Sequence, residues 1–261
     1  MKGIEFKQEF NILYNNIDSN AVPGLNLYEI SVLLTKAQDE VIKNKLNPAG
    51  NKYKQGYDGS SKRQIDFSNI TVIATLEPVS TAAKFDNRAT LYKLPDDILS
   101  FLDEELILEK KDEDAKLDIR RVRQVVPISY DDYTRIMSKP FGEPYRNQAW
   151  RLLVTSADGT RVAEVIPNIN DRHLVSDDKF TQSYIVRYLR KPRPIILEDL
   201  SQYGLTIDGK TGAEEGYDLT NPCELDPEIH REILQRAVEL AKAGYMSDQT
   251  NIQTQMGTRS E

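Results

Sequence analysis

The sequence predicts an α+β protein in which terminal amphipathic helices pack together as a helical layer, with a β-rich middle domain. Two observations support this prediction. Helical periodicity of apolar residues is concentrated near the two ends of the 261-residue chain, and runs of β-branched and aromatic residues separated by turn signals fill its middle. We therefore expect residues 1–64 and 223–246 to form the helical layer with a long loop, and residues 65–200 to form the β-rich domain with short helices.

The helix over residues 226–245 has the strongest local signals in the chain. Asp226 is a good N-cap, Pro227 suits the first helical position, and Glu228 places negative charge in the first turn. Apolar residues recur at steps of three and four and become smaller toward Gly244. The pattern predicts another amphipathic helix as the partner, with a close contact at the far end.

Two further helices are predicted near the start of the chain. Aromatic and aliphatic residues repeat with helical spacing from Phe6 to Ile17. Asn26 and Glu29 resemble a capping box, which opens a helix over residues 27–46 that is the natural mate of the C-terminal helix. The polar, glycine-rich residues 48–63 are predicted to be a long loop ordered mainly by a neighbour.

The middle of the chain alternates strand patterns with short helices. Asp158 and Gly159 mark the turn of a hairpin over residues 149–166, and Pro192 and Pro194 predict that the last strand lies partly on an edge. The expected strands lie at residues 70–76, 89–94, 117–128 and 184–197. Short helices are expected from Pro95, with Leu99, Leu102 and Leu106 inside, and from Ser129.

Two remaining segments are predicted to lie outside any core. Residues 201–222 contain four glycines and are expected to be an exposed excursion. Residues 247–261 are almost wholly polar and are expected to form a polar C-terminal arm that is disordered in isolation.

Composition excludes several classes of protein. Hydrophobic residues at 39% and charged residues at 29% are typical of a globular protein, and no apolar run is long enough to cross a bilayer. The start of the chain lacks the apolar segment of a secretion signal, and the lone Cys223 cannot form an internal disulfide, so we expect synthesis in a reducing cytoplasm. A net charge of -7 argues against a protein whose main role is to hold nucleic acid.

Residues typical of catalytic or metal sites are few and scattered. His230 is expected on the polar shoulder of the C-terminal helix and His173 in a loop, and Cys223 has neither a CxxC partner nor a basic neighbourhood. Acidic pairs such as Asp96 and Asp97 are most often helix caps or solvated faces. No catalytic, metal or cofactor site is predicted, although a carboxylate-based hydrolase stays a minor alternative.

Blocks of charge are the most informative polar feature. An acidic block is followed closely by arginines, and a second basic run comes later in the chain. Such blocks are either solvated surfaces or two complementary patches, which is what a head-to-tail ring requires. The candidate subunit-interface residues are Asp112, Glu113, Asp114, Arg120, Arg121, Arg123, Arg187 and Arg190.

Segments along nearly the whole chain resemble one family. They are LTKAQDE at 34–40, GNKY at 50–53, PISYDDY at 127–133, QAWR at 148–151, KPRPIIL at 191–197, the helix at 225–243 and GTRSE at 257–261. In these segments the sequence is similar to the portal and tail ring proteins of crAss-like bacteriophages, which are head-to-tail connector or adaptor components of the virion. None of the segments is a mechanistic motif, so no catalytic residues follow from the resemblance.

The resemblance implies a non-enzymatic virion protein made in the bacterial host cytoplasm. It implies a homo-oligomeric ring matching a twelvefold portal, which connects the portal to the tail and lines the DNA conduit. The implied partners are the portal protein and other tail ring or hub proteins, with DNA passing through without sequence-specific binding and no membrane involved. A monomeric scaffolding or regulatory binding protein is the main alternative.

Overall fold

The computed structural model describes residues 1–15, 24–47, 61–79, 84–110, 120–139, 142–156, 158–168, 171, 180–214 and 217–246. Within these ranges the chain has five α-helices and a mixed sheet of eight strands, which confirms the α+β class. The chain divides into two compact units, one of residues 1–70 with 192–261 and one of residues 71–191. We call them the helical unit and the sheet unit.

The elements have the following bounds. The helices are α1 (Gly3–Asn15), α2 (Leu27–Leu46), α3 (Ser61–Asp66), α4 (Tyr130–Met137) and α5 (Pro227–Met246), with short 3-10 helices at Ser68–Ile70 and Leu200–Tyr203. The strands are β1 (Thr71–Leu76), β2 (Pro78–Val79), β3 (Thr90–Lys93), β4 (Ile98–Lys110), β5 (Arg120–Pro127), β6 (Gln148–Thr155), β7 (Arg161–Pro167) and β8 (Phe180–Arg190).

The pair of long helices, α2 and α5, is the centre of the helical unit. The capping box of α2 is present, because Asn26 Oδ1 accepts the Glu29 amide and Glu29 Oε2 accepts the Asn26 amide, each at 2.8 Å. On α5 the Asp226 carboxylate accepts the Glu228 amide at 2.9 Å. The predicted apolar stripes meet, and buried residues such as Leu34 and Ala237 form the contact. The predicted helical layer is therefore confirmed.

A row of polar side chains on α2 binds the extended segment at residues 193–197. These side chains are buried and lie about one helical turn apart, so each can satisfy a backbone group of the segment. The three hydrogen bonds join Ser31 Oγ to Leu197 N at 3.1 Å, Thr35 Oγ1 to Ile195 N at 3.1 Å, and Gln38 Nε2 to Arg193 O at 2.9 Å.

The expectation that the last strand runs through the prolines at a sheet edge is wrong. Strand β8 ends at Arg190 and lies inside the sheet, between β1 and β4. Pro192 and Pro194 follow it in the extended segment that α2 holds. Proline has no N–H to donate to a neighbouring strand, and the segment is held by side chains of α2 that bind backbone groups beside the prolines.

Helix α1 packs its aromatic side against α5. Phe6 and Phe10 are fully buried, and Phe6 lies against the ring of His230 with centroids 5.5 Å apart. His230 is 4% exposed, so the expectation of a surface histidine is wrong. The Met1 amine lies 2.6 Å from His230 Nδ1, and Nε2 donates to Leu225 O at 3.0 Å, so the imidazole links α1 to the start of α5.

The segment 201–222, expected to be an exposed excursion, is only partly exposed. Ile207 packs with Leu200 and Ile196 in a small core, and α2 contributes Tyr28 and Val32 to that core. Gly204 and Gly209 adopt positive φ angles of 63° and 75°, which allows the chain to turn back so that Ile207 is buried.

Within the described residues, the far end of α5 shows open space beside the glycine where a close contact was expected. Gly244 is exposed, and a methyl group added to its α-carbon would meet no atom within 4 Å. The small residues at this end instead border an open groove, described below.

The sheet runs in the order β1-β8-β4-β5-β6-β7-β3-β2. Neighbouring strands are antiparallel except β5 and β6, which are parallel and joined through α4. The predicted hairpin around Gly159 is confirmed as β6 and β7. The prediction of a short helix after Pro95 is wrong, because the long strand β4 pairs with β8 there. The register of this pairing shifts near Ser100 and Asp103. Pairing along the strand overrides the local helical spacing of leucines.

The sheet curls so that strands near its opposite ends touch across the core. Tyr92 of β3 and Tyr184 of β8 have ring centroids 5.1 Å apart, and Thr90 Oγ1 donates to Gln182 Oε1 at 3.2 Å. The core face carries Tyr92, Leu94, Leu106, Leu108, Val125, Ala149, Ala163, Val165, Tyr184, Val186 and Tyr188. A second cluster, around Trp150 and Tyr133, packs α4 on the outer face.

Replacing Ala237 by tryptophan tests the contact between α2 and α5. Ala237 is fully buried, so we expect the larger side chain to lower the free energy of unfolding by on the order of 1–3 kcal/mol. Gln235→Trp on the exposed side of the same helix is the matched control and should change it little. Urea denaturation measures both variants, and equal stabilities would contradict the packing.

His230 makes the helical unit sensitive to mild acid. Burial, and next the Met1 ammonium group, lower the pKa of His230 below its ordinary value. A lowered histidine pKa means that the unfolded chain binds the proton more readily than the folded chain. The contribution of neutral His230 to the free energy of unfolding is therefore complete above about pH 6.5 and is lost as the pH falls. We expect the free energy of unfolding to decrease more between pH 7.5 and pH 5.5 in the wild type than in His230→Gln. An equal loss in both proteins would contradict this role.

Candidate assembly surfaces and buried charge clusters

The basic run at the start of β5 is divided between two faces of the sheet. Side chains alternate along a strand, so Arg120 lies on the outer face, where its Nε is 3.2 Å from Glu109 Oε1 across β4. Arg121 and Arg123 pair with Leu108 and Leu106 and therefore share the core face. The predicted basic patch is thus not one continuous surface.

A buried carboxylate, Asp171, binds the two arginines of the core face. Arg123 Nε donates to Asp171 Oδ2 at 2.6 Å, and Arg121 Nη1 donates to Oδ1 at 3.0 Å. Asp171 is fully buried. Burial alone would raise its pKa, but the hydrogen bonds from Arg123 and Arg121 outweigh burial and hold the pKa of Asp171 below its ordinary range. The arginines are therefore part of an internal ion cluster.

The other predicted interface residues lie apart from that cluster. Arg187 is exposed on the outer face of β8, in register with Ile73 of β1 and Asp103 of β4. Ile73 is 68% exposed, so this part of the sheet presents an apolar side chain beside charges of both signs. Arg190 is half-buried at the end of β8. Asp112, Glu113 and Asp114 lie outside the described residues.

A second buried ion pair crosses the core of the sheet unit. Arg151 Nε lies 2.8 Å from Glu104 Oε2, although the N–H is not aimed along that line, so the contact is an ion pair rather than a directed hydrogen bond. The guanidinium also lies over the Phe101 ring, 4.1 Å from its centroid. Tyr184 donates its hydroxyl to Glu104. Burial raises the pKa of Glu104 despite these partners.

A third polar cluster fastens α4 and the loop before β3 to the outer face. Asp86 accepts hydrogen bonds from Arg88 Nε at 2.8 Å and from the Tyr133 hydroxyl at 2.5 Å. Burial opposes ionisation of Asp86, but the hydrogen bonds outweigh burial and lower the pKa of Asp86 to about 2. The Asp86 amide donates at 2.7 Å to Glu164, which is fully buried on β7 and whose pKa is raised by burial.

Side chains that could serve catalysis are engaged in folding contacts. Asp97 accepts the Tyr188 hydroxyl at 3.2 Å, and Asp132 pairs with Arg135 at 2.6 Å. Cys223 is buried, and burial raises the pKa of its thiol to about 12. Among the described residues, no group of three or more histidines, cysteines or carboxylates is placed to hold a metal ion. His173 lies outside those residues.

An apolar groove of about 420 Å³ lies among the helices of the helical unit. Its walls are Tyr14 of α1, half-buried aliphatic and aromatic side chains of α2, and the far end of α5. Among the described residues, the lining carries Glu29 as its one charged side chain, and its other members are Tyr14, Leu25, Tyr28, Val32, Leu33, Leu240, Ala241 and Gly244. We call it the helical groove.

Sequence reasoning missed several residues of the charge clusters. Asp171 is near its arginines only through the fold, since 48 residues separate it from Arg123. Arg151 and Glu164 gave a usable signal, because each is a charged residue inside a strand whose neighbours are apolar. Such a residue is buried only with a partner.

These features define an α+β protein whose buried charges, in the described residues, form ion clusters within the sheet unit. Comparison with known proteins identifies its family. A model of the family described as phage tail ring protein 3/4 matches residues 1–253, and the chain belongs to this family.

Two relatives come from Bacteroides phage crAss001. The chain is 48% identical over 261 residues to Ring protein 4/5, with 98% of each chain covered. It is 29% identical over 242 residues to Ring protein 3, covering 92% of this chain and 95% of the relative. The family resemblance predicted from the sequence is confirmed.

Replacing Asp171 by asparagine tests the cluster on the core face. Two arginines would lose their carboxylate, so we expect the free energy of unfolding to fall by about 3 kcal/mol. A lowered pKa gives a contribution that is present above about pH 4 and is lost as the pH falls, so the variant should also lose less stability in acid than the wild type.

Asp132→Asn is the matched control for this change. Its ion pair with Arg135 is exposed and should contribute about 0–1 kcal/mol. Urea unfolding at neutral and acid pH separates the two variants. A cost for Asp171→Asn no larger than that of Asp132→Asn would contradict the buried cluster.

Proposed function

We propose that this chain is a non-enzymatic structural subunit of the phage virion that forms a closed homo-oligomeric ring between the portal and the tail. The observation that carries this proposal is family membership along the chain, with relatives named ring proteins. The ring is a head-to-tail connector that matches the symmetry of the portal and binds the portal and neighbouring tail rings. Its place is in the virion, after synthesis in the host cytoplasm.

The charge of the chain supports a role in lining a DNA conduit. Lysine and arginine contacts to phosphate hold DNA in place, whereas the net charge of -7 disfavours tight binding. DNA therefore passes through the ring without sequence-specific contacts. In the described part of the chain, every helix is too short or too polar to cross a bilayer.

A cyclic ring needs two different patches on each subunit that complement each other. The outer face of the sheet supplies one candidate, where exposed Arg187 lies beside Ile73 and Arg120 lies farther along the same face. The acidic residues 112–114 are the proposed complement on the next subunit. Arg121 and Arg123 are not part of this patch, because they lie on the core face and pair with Asp171.

Locating the chain in the virion tests the proposed function. Phage carrying an epitope inserted after Asp158, in the exposed turn between β6 and β7, are purified and labelled with gold-conjugated antibody. The expected label lies at the junction of head and tail. Label elsewhere on the particle, or absence of the chain from purified virions, would overturn the proposal. A monomeric scaffolding protein would leave before maturation and give the second result.

Reversing the acidic block tests the interface. We expect Asp112→Lys with Glu113→Lys and Asp114→Lys to leave the subunit folded by circular dichroism and to abolish incorporation into the portal and tail complex, because repulsion then repeats at every interface. Compensating reversal of Arg120 and Arg187 should partly restore it.

The matched control changes net charge equally at scattered exposed acids, through Glu77→Lys, Asp131→Lys and Asp158→Lys. Co-purification with the portal measures both proteins. Equal incorporation of the two at physiological salt would show that residues 112–114 are solvated surface.

A further inference from the structure

The helical groove leaves apolar side chains of three helices open on one side. Leu25, Val32, Leu33 and Leu240 line the groove and are each half-buried, so part of their apolar surface is open to it. A volume of about 420 Å³ is large enough for two or three side chains. Around Gly244 the groove is open enough that an added methyl group would meet nothing within 4 Å. Such a surface is typical of a docking site for a short segment.

The chain itself contains a segment that fits this groove. Helix α5 ends at Met246, two residues after the groove residue Gly244, and residues 247–261 follow. The apolar residues among those fifteen are Ile252 and Met256, and the cation is Arg259. They follow one another at steps of four and three residues, the spacing at which side chains share one face of a helix.

Charge supports the same match. The charged residue of the groove is Glu29, which is exposed at the rim where α2 begins. Two apolar residues followed by an arginine thus complement an apolar groove that ends at a carboxylate. Helix-in-groove recognition uses anchors at this spacing.

We propose that residues 252–259 of one subunit dock in the helical groove of the next subunit of the ring, with Ile252 and Met256 among its apolar side chains and Arg259 beside Glu29. This inference rests on the proposed ring. Groove and tail are different patches present once in every copy, so an exchange around a closed ring fills every groove. The tail is long enough, because Ile252 is the sixth residue after Met246, and a stretch of six residues spans up to about 20 Å.

Cysteine cross-linking tests the exchange in the full-length protein. Leu33→Cys places a thiol in the groove and Ile252→Cys places one in the tail, while the native Cys223 is buried and contributes little background. The two single variants, one of them isotope-labelled, are mixed, assembled into rings and oxidised. Lys43→Cys, at an exposed position of the same helix, replaces Leu33→Cys in the control.

We expect peptide mass spectrometry to find the link between positions 33 and 252 across two chains, at a yield about tenfold above the link between 43 and 252, because docking raises the local thiol concentration. A link formed only within one chain of a Leu33→Cys and Ile252→Cys double variant would overturn the proposal in favour of a tail that covers its own groove. Equal yields at positions 33 and 43 would also overturn it.

A second variant fills the groove without a reactive group. Gly244→Trp adds a side chain where space is open, so the subunit should keep its unfolding temperature and show at least about a fivefold lower yield of rings in particle images. Unchanged ring yield would contradict docking in the groove. Rings assembled from the two cysteine variants but lacking the 33 to 252 link would refute this inference alone, whereas failure of the wild type to form rings would refute the proposed function as well.

Discussion

Helix α2 is the element on which the helical unit depends, because it binds different partners with two kinds of side chain. Its apolar stripe packs on α5, so the first and last parts of the chain form one core. Its buried polar row, Ser31, Thr35 and Gln38, holds the segment at 193–197, where the chain returns from the sheet unit. The bond between Thr35 and Ile195 is buried and the other two are partly buried, so losing Thr35 would leave the Ile195 amide unpaired in the core. The position of α2 therefore sets where the returning chain must run.

Much of the fold could be predicted because local signals and tertiary structure agree there. The capping box at Asn26, the proline start of α5 and the turn at Gly159 all specify elements through short-range chemistry. The errors occur where distant partners decide. Leucines at helical spacing after Pro95 became strand β4 because β8 and β5 pair with it, and His230 became buried because α1 covers it. Asp171 could not be predicted as a ligand of Arg121 and Arg123, since nothing local marks a residue that only folding brings to them.

The same distinction applies to the charges proposed for assembly. A run of arginines in sequence predicts one basic patch, but strand alternation places Arg120 on the outer face and Arg121 and Arg123 on the core face. Arginines that the sequence pattern assigned to a contact with a partner are therefore paired inside the fold. Family membership shows what kind of protein this is, whereas the surfaces proposed to join its subunits are chosen from the faces that the fold leaves exposed. The outer face of β1 and β8 and the helical groove are two such surfaces, one polar with an exposed isoleucine and one apolar.

Closure of the chain into a ring is tested most directly by native mass spectrometry of the purified wild-type protein, alone and mixed with its portal. We expect one discrete closed oligomer, whose copy number matches the symmetry of the portal when the two are combined. A monomer that persists in the presence of the portal, or an open series of oligomers without a preferred size, would contradict it.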